Sequence, residues 1–288
     1  MRLYIAGLIA AGLTGLAAAP AVAETTCPGN PNALGVSRTV EIDTTGGPGF
    51  GMEHYKAYDF LREKEVILTF DDGPQVRTTE AIIKALADHC TKATFFSIGK
   101  MALGLPHILR EVAKGGHTIG THTWSHKDLS KLKADEAKSE IERGASAVAR
   151  AAGVPVSTFF RFPYLRHSKD TLAHLGGRNL GVFSTDLDSF DFKFRSSKAL
   201  VSNIMNKLDK RGKGILLMHD IQPGTAKAMP ALLEALQKGG YKIVHMRSKA
   251  KLETLAEYDK AIEKDVRGLP AAGSDRPLSS VVSTVSEK

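Results

Sequence analysis

Between residues 65 and 245 the chain alternates two hydrophobic patterns. Short apolar runs bounded by turn residues have the length of buried strands. Longer stretches repeat apolar positions every three or four residues, as one face of a helix does. Val66-Ile67-Leu68-Thr69-Phe70 is the strongest strand signal. Thr78 to His89 follows it, with Ile82, Ile83 and Leu86 at helical spacing. Thr94 to Ile98 reads as a strand, and Pro106 to Lys114 as a helix opened by proline and stopped by Gly115-Gly116. A strand at His117 to Gly120, an amphipathic helix from Lys133 to Ala152, and a strand at Phe159 to Phe162 stopped by Pro163 continue the alternation. A helix near Lys169 to Leu175 precedes a strand at Leu180 to Ser184. Helices at Ser197 to Lys210 and Met229 to Lys238 flank a strand at Gly214 to Met218, and Tyr241 to Val244 is the last strand.

Strands and helices alternating at least six times imply parallel strands joined by helical crossovers. The expected fold is α/β, a closed or nearly closed barrel rather than an open sheet, forming one domain. In such barrels chemistry collects where strands end and loops begin. Residues 61–255 are assigned to that domain. Residues 24–60, rich in Gly, Pro, Thr and Asn, read as an N-terminal arm, and 256–288 as a C-terminal tail, partly disordered.

Residues 1–23 follow a different logic. Met1-Arg2 is positive, Leu3 to Ala19 is apolar, and Ala21-Val22-Ala23 has the small-x-small form of a cleavage site. The segment reads as a secretory signal peptide, so the protein is expected to be exported, either to a periplasm or to the medium. No stable membrane insertion is expected after cleavage. The net charge of +8 becomes +7 when this segment, with one Arg and no acid, is removed. A basic exported protein suits acidic envelope polymers or anionic lipid surfaces. Its Lys and Arg are dispersed rather than striped among aromatics, which argues against a nucleic-acid partner. Cys27 and Cys90 are the two cysteines. In an oxidising compartment a Cys27–Cys90 disulfide is expected, contributing about 4 kcal/mol in the chain-entropy model. Neither belongs to a CxxC pair, so a cysteine-bound metal is not expected.

The candidate chemistry sits at strand ends. Asp71 and Asp72 close the first strong strand, and Gly73-Pro74 turns the chain. Neighbouring side chains on a strand face opposite ways, so one acid can bind a metal while the other stays free for proton transfer. An isolated Asp-Asp-Gly is as readily a pair of solvated turn acids. His122 and His126 follow the third strand; at i and i+4 on a helical turn they would converge on one metal. Two His and one carboxylate, from Asp71 or Asp72, form a common catalytic zinc set. Arg161 ends another strand in Arg161-Phe162-Pro163-Tyr164 and can orient a carboxylate. Asp186 to Phe192 is an acidic loop, and His219-Asp220 closes the strand at Met218. A His there is well placed as a general acid.

These five clusters, in this order, resemble the polysaccharide deacetylase family, carbohydrate esterase family 4. The resemblance spans roughly Glu65 to Val244 and rests on Thr-Phe-Asp-Asp-Gly-Pro, His-Thr-x-x-His, Arg-x-Pro-Tyr and Leu-Met-His. It implies a distorted (β/α)7-type barrel as a single catalytic domain, and a metal-dependent hydrolase removing N-acetyl groups from N-acetylglucosamine-containing glycans such as peptidoglycan, chitooligosaccharide or exopolysaccharide. By the resemblance, Asp71 is the base and Asp72, His122 and His126 hold one divalent ion, zinc in most of the family, with cobalt or another ion as alternatives. Arg161 would orient Asp71. His219 would be the acid, tuned by Asp191. Tyr164 would offer its backbone N–H to the oxyanion and contact substrate. Leu217 would line the acetyl pocket, and Trp124 would contact substrate. Two departures, Phe192 where the family often has Trp and Leu165-Arg166-His167 where Gly is common, fall near the expected groove and mark His167 as a substrate-contact candidate. An O-acetyl esterase and a non-catalytic glycan-binding protein of the same fold are the competing readings. The complete acid, base and ligand set argues against the second.

Overall fold

The computed structural model describes residues 27–268, so the expected signal peptide and residues 269–288 lie outside the described part. In chain order the elements begin with β1 (Arg38–Ile42), β2 (Gly49–Phe50), β3 (Glu65–Asp71), α1 (Thr78–Asp88) and β4 (Thr94–Ser97). Then come α2 (Gly99–Gly104), α3 (Pro106–Lys114), β5 (Thr118–Thr121), α4 (Ala134–Ala152) and β6 (Phe159–Phe160). The chain continues with α5 (Lys169–Gly177), β7 (Gly181–Phe183), β8 (Leu187–Asp188), α6 (Ser197–Arg211) and β9 (Gly214–His219). It closes with α7 (Pro223–Lys238), β10 (Lys242–Ser248) and α8 (Ala256–Gly268).

β3 organises the rest. Every residue in it is buried, as in a parallel strand covered on both faces. Its alternation sorts the core. Val66, Leu68 and Phe70 pack with Ile82 and Leu86 of α1 and Leu232 and Leu236 of α7. Ile67 points the other way, into a second cluster with Phe96, Phe159, Phe183 and Ile215. By the same period, Thr69 and Asp71 continue the Ile67 face toward the strand's C-terminal end. The inner cluster therefore forms a floor, and Asp71 rises above it.

Seven strands run in parallel ladders in the order β8, β9, β3, β4, β5, β6, β7. No ladder joins β7 to β8 among the described residues, so the ring is distorted rather than evenly closed. Helices cover its outer face. Cys27 and Cys90 are disulfide-bonded, with Cα atoms 5.7 Å apart, which ties the start of the described chain to the end of α1. No helix among the described residues is long and apolar enough to cross a membrane.

The structure departs from the sequence pattern in several places, including β8, a strand inside the expected acidic loop. The expected arm supplies two strands: β1 pairs along its length with β10, and β2 pairs with the end of β7. Each is too short, or too exposed on one side, to leave a clear hydrophobic signal. The expected tail opens with α8, where Ile262 is buried and Asp265 pairs with Arg143 of α4 at 2.7 Å. Its apolar stripe is narrow, only Tyr258, Ile262 and Val266 at four-residue spacing among charged residues. The fold thus extends beyond residues 61–255 on both sides. α2 occupies a segment with no helical pattern. α7 begins at Pro223, six residues ahead of the apolar periodicity that starts at Met229.

Candidate active site

The strand ends bring the charged residues together. In the β3–β9 ladder Asp71 lies directly opposite His219, and Leu217 lies opposite Thr69 one layer below. Asp71 is 3% exposed and is held by Arg161 from the end of β6, whose Nη1 donates to its Oδ1 at 2.7 Å. Arg161 is itself fully buried, and each of its three guanidinium nitrogens donates a hydrogen bond. Nη1 also donates to the Thr69 hydroxyl at 2.8 Å, Nη2 to the Ser184 carbonyl at 2.9 Å and Nε to the Phe183 carbonyl at 3.1 Å. Its guanidinium lies 4.3 Å from the centre of the Phe96 ring. A buried arginine is tolerated only when its nitrogens are hydrogen-bonded and its charge is paired, and both hold here. Arg161 therefore sets the direction of the Asp71 carboxylate.

Asp72 turns away from Asp71, with backbone φ of 82°. Its Oδ1 lies 3.5 Å from Nε2 of His122 and 3.3 Å from Nε2 of His126. That oxygen is buried and has no hydrogen-bond partner among the described residues. Nδ1 of His122 bonds the Arg161 carbonyl at 2.7 Å, so Nδ1 carries the proton and the Nε2 lone pair is free. Two imidazole nitrogens and one orphaned carboxylate oxygen within 4.8 Å of one another fit a divalent ion. Ligation would also remove the cost of leaving the Asp72 oxygen buried and unpaired.

The route to this convergence differs from the sequence expectation. Residues 122–126 are not a helical turn: Thr123 and His126 adopt left-handed backbone, with φ of 67° and 61°. The loop is gripped from α4. Glu140, which is buried, accepts the Ser125 N–H at 2.9 Å and the Ser125 hydroxyl at 2.8 Å, and its own carbonyl accepts the Trp124 N–H. A side chain at Gly144 would collide with the Thr123 backbone, so only glycine lets α4 come this close. Tyr164 is also left-handed, with φ of 57°. Such residues cost about 1–3 kcal/mol each and persist where the surroundings over-determine them.

His219 has its own support. Its Nδ1 bonds Oδ1 of Asp191 at 2.7 Å, and its backbone N–H donates to Oδ2 at 2.7 Å. The Thr225 hydroxyl donates to the same Oδ2 at 2.6 Å, and the Phe192 N–H to Oδ1 at 3.0 Å. Burial alone would lower the imidazole pKa. The Asp191 hydrogen bond and charge, with the charges of Asp71 and Asp72 beyond, outweigh burial and hold it up at about 9.

Tyr164 is exposed and its ring lies edge-on to His126, 4.8 Å between centroids. Trp124 must be corrected as a substrate contact. It is 4% exposed, belongs to the helix-covered core, and lies under the Arg143 guanidinium at 4.3 Å. A bulky ring beside a surface motif invited the functional reading, but α2 and α4 cover it. Sequence reasoning gave no role to Glu140 or to Asp220. Asp220 is buried, accepts the Thr79 hydroxyl at 2.7 Å and donates its N–H to the Asp71 carbonyl, and its carboxylate leaves no room for a side chain at Gly73. Burial, reinforced by the charge of Asp72, raises its pKa to about 7. An acid directly after His219, the candidate general acid, is the sequence signal that could have drawn attention to it.

A sequence model described as polysaccharide deacetylase matches residues 60–181. The peptidoglycan-N-acetylglucosamine deacetylase of Bacillus cereus is 31% identical over 199 residues, covering 67% of this chain and 71% of that protein. A chitooligosaccharide deacetylase of Bradyrhizobium is 29% identical over 199 residues, or 64% of this chain and 90% of that protein. Among solved structures, the Bdellovibrio bacteriovorus peptidoglycan deacetylase is similar with a TM-score of 0.68 and 34% identity, over 75% of this chain and 61% of that one. Motif order, fold and sequence identity agree, and the chain belongs to the polysaccharide deacetylase family.

Proposed function

We propose that the protein is a metal-dependent deacetylase that hydrolyses the N-acetyl groups of N-acetylglucosamine-containing glycans and releases acetate. The observation that carries this reading is the pairing of Asp71 and His219 across the β3–β9 ladder, each held by its own buried partner, beside Asp72, His122 and His126. The acetylated amino-sugar polymers named for its relatives support the substrate class. We assign the ligand set to Asp72, His122 and His126 and the ion to zinc, which two imidazoles and one carboxylate suit. When bound, the ion would supply Lewis-acid polarisation of the acetyl carbonyl and of a water.

The chain's own residues do the rest. Asp71, its Oδ1 fixed by Arg161, takes the proton of the attacking water at its other oxygen. The backbone N–H of Tyr164 donates to the oxygen that gains charge, and preorganised donors of this kind are often the largest electrostatic contribution. Leu217, below His219 on the same face of β9, lines the space for the acetyl methyl. His219 protonates the departing amine. An amine cannot leave as an anion at neutral pH, so N-deacetylation needs an acid that is charged at working pH. The Asp191 partner provides that, and this favours amide over ester as the substrate bond.

The raised pKa fixes the direction of the pH response. Imidazolium persists below the folded pKa, so the acid form is present at neutral pH and is lost as pH rises toward about 9. A cation at Asp72 would pull that value down. In the Asp191→Asn variant the carboxylate charge is gone and burial remains, so the alkaline limb of kcat/KM should move to lower pH. A limb that stays in place in this variant would remove His219 from the role of acid.

Acetate release by the protein lacking residues 1–23, measured with and without chelator, tests the whole reading. Chitooligosaccharide, peptidoglycan and an O-acetylated polymer should be assayed side by side. Chelator-sensitive release from the first two is expected. Release only from the third would make the protein an esterase, and binding without release a glycan-binding protein. We place it outside the cytoplasm on the signal-like pattern of residues 1–23.

A further inference from the structure

The residues assigned to the ion and to proton transfer differ in how they are held. Asp71 is fixed by Arg161, His122 by a hydrogen bond to the Arg161 carbonyl, and His219 by Asp191. The loop that bears His126 is gripped by Glu140. Asp72 is the exception. Its Oδ1, the oxygen between the imidazoles, accepts no hydrogen bond among the described residues. Its place is therefore set by the backbone that carries it, a left-handed residue just past the end of β3. Whatever fixes that backbone decides where the ligand stands.

The turn is held from three sides. On the β4 side the Asp72 N–H donates to the Phe96 carbonyl at 3.3 Å, and the Ile98 N–H donates to the Gly73 carbonyl at 3.2 Å. On the α1 side the Gln75 N–H donates to the Thr79 hydroxyl oxygen at 2.8 Å, and the Thr79 N–H donates to the Gln75 carbonyl at 3.1 Å. The third side is the end of β9. Asp220 follows His219 there and is 2% exposed. Its N–H donates to the Asp71 carbonyl at 3.2 Å, and its Oδ2 accepts the Thr79 hydroxyl at 2.7 Å. Its carboxylate stands where a Gly73 Cβ would be. One side chain thus presses on the turn at Gly73 and holds Thr79, and Thr79, fully buried, passes the bond on to Gln75. Burying a carboxyl group carries a free-energy cost, and Oδ1 of Asp220 gains no hydrogen bond among the described residues to offset it. An apolar residue would avoid that cost but could not hold Thr79.

We propose that Asp220 is a positioning residue for Asp72: by holding the Gly73–Gln75 turn against β9 and α1, it sets where the ligating oxygen stands between His122 and His126. The inference rests on the ligand set of the proposed deacetylase and goes beyond it, since Asp220 lies outside that set. It also joins two parts of the site. Asp72 belongs to the β3 turn and His219 to β9, and Asp220, one residue beyond His219, ties the two together. Residues that support a ligand in this way tune ion affinity without touching the ion.

Zinc affinity by equilibrium dialysis and the melting temperature of the metal-free protein, measured on the same purified samples, test this. Asp220→Ala is expected to weaken zinc binding about 10- to 100-fold, the range for a residue that supports a ligand. Asp220→Asn keeps an oxygen for the Thr79 hydroxyl and should recover most of that affinity. Thr79→Val keeps the volume and deletes the hydroxyl, so it should weaken binding in the same direction. Unchanged affinity in Asp220→Ala and Thr79→Val, beside a wild type that binds zinc, would reduce Asp220 to a structural role and overturn the proposal, even where the melting temperature falls. Should Asp220→Ala not fold, unchanged affinity in Thr79→Val alone overturns it. A loss that Asp220→Asn does not relieve would assign the effect to the charge of Asp220 rather than to its hold on Thr79, and would overturn it too. A wild type that binds zinc no better than Asp72→Ala would strike the ligand set itself, and the positioning role with it.

Discussion

Asp71→Asn is expected to keep the metal and lose turnover. An amide cannot take a proton from water, and loss of a general base typically costs two to four orders of magnitude. Asparagine is close in shape to aspartate, and its carbonyl can still accept from Arg161 Nη1, now 2.7 Å from Oδ1. Asp72, His122 and His126 are untouched. The decisive measurement pairs metal content with acetate release on one purified sample. A metal-replete variant that still deacetylates would remove Asp71 from the mechanism.

Asp72→Ala should show the opposite order of effects. Its Oδ1 is the buried oxygen between the two imidazoles, without a hydrogen-bond partner among the described residues, and it is the carboxylate of the set. Removing it should weaken divalent-ion affinity by more than the roughly 10- to 100-fold typical of losing a residue that merely supports a ligand. Activity should fall with occupancy and recover in part at high metal concentration. Equilibrium dialysis against zinc, read with activity at each concentration, separates the cases. Unchanged affinity would show that the pair of acids has been assigned the wrong way round.

The separation of two adjacent aspartates illustrates how much was legible in the residues. Period-2 alternation leads to the expectation that Asp71 and Asp72 face different surroundings, but Asp72 lies just past β3 and is turned by a left-handed backbone with φ of 82°. The apolar runs and helical spacings placed most elements of the ring, because buried parallel strands must be hydrophobic on both faces and the crossover helices on one. The metal-ligand residues, the basic residue at Arg161 and the His at 219 were visible as polar groups after strands. What hid was structure that carries little hydrophobic signal. β1, β2 and α8 contribute few buried apolar side chains, so composition made them an arm and a tail.

Chemistry and its spacing, and therefore the family, were determined by the sequence alone: which acids, which imidazoles and which strand ends. Tertiary structure decided how they meet. His122 and His126 converge through a left-handed loop clamped by Glu140 and Gly144, contacts more than a dozen residues away that no local pattern encodes. Trp124 went to the core because α2 and α4 cover it. Asp220 reached the turn after Asp72 because β9 pairs with β3. Side-chain periodicity is a property of the local backbone, whereas exposure and proximity are set by what packs above, and only the folded chain determines that.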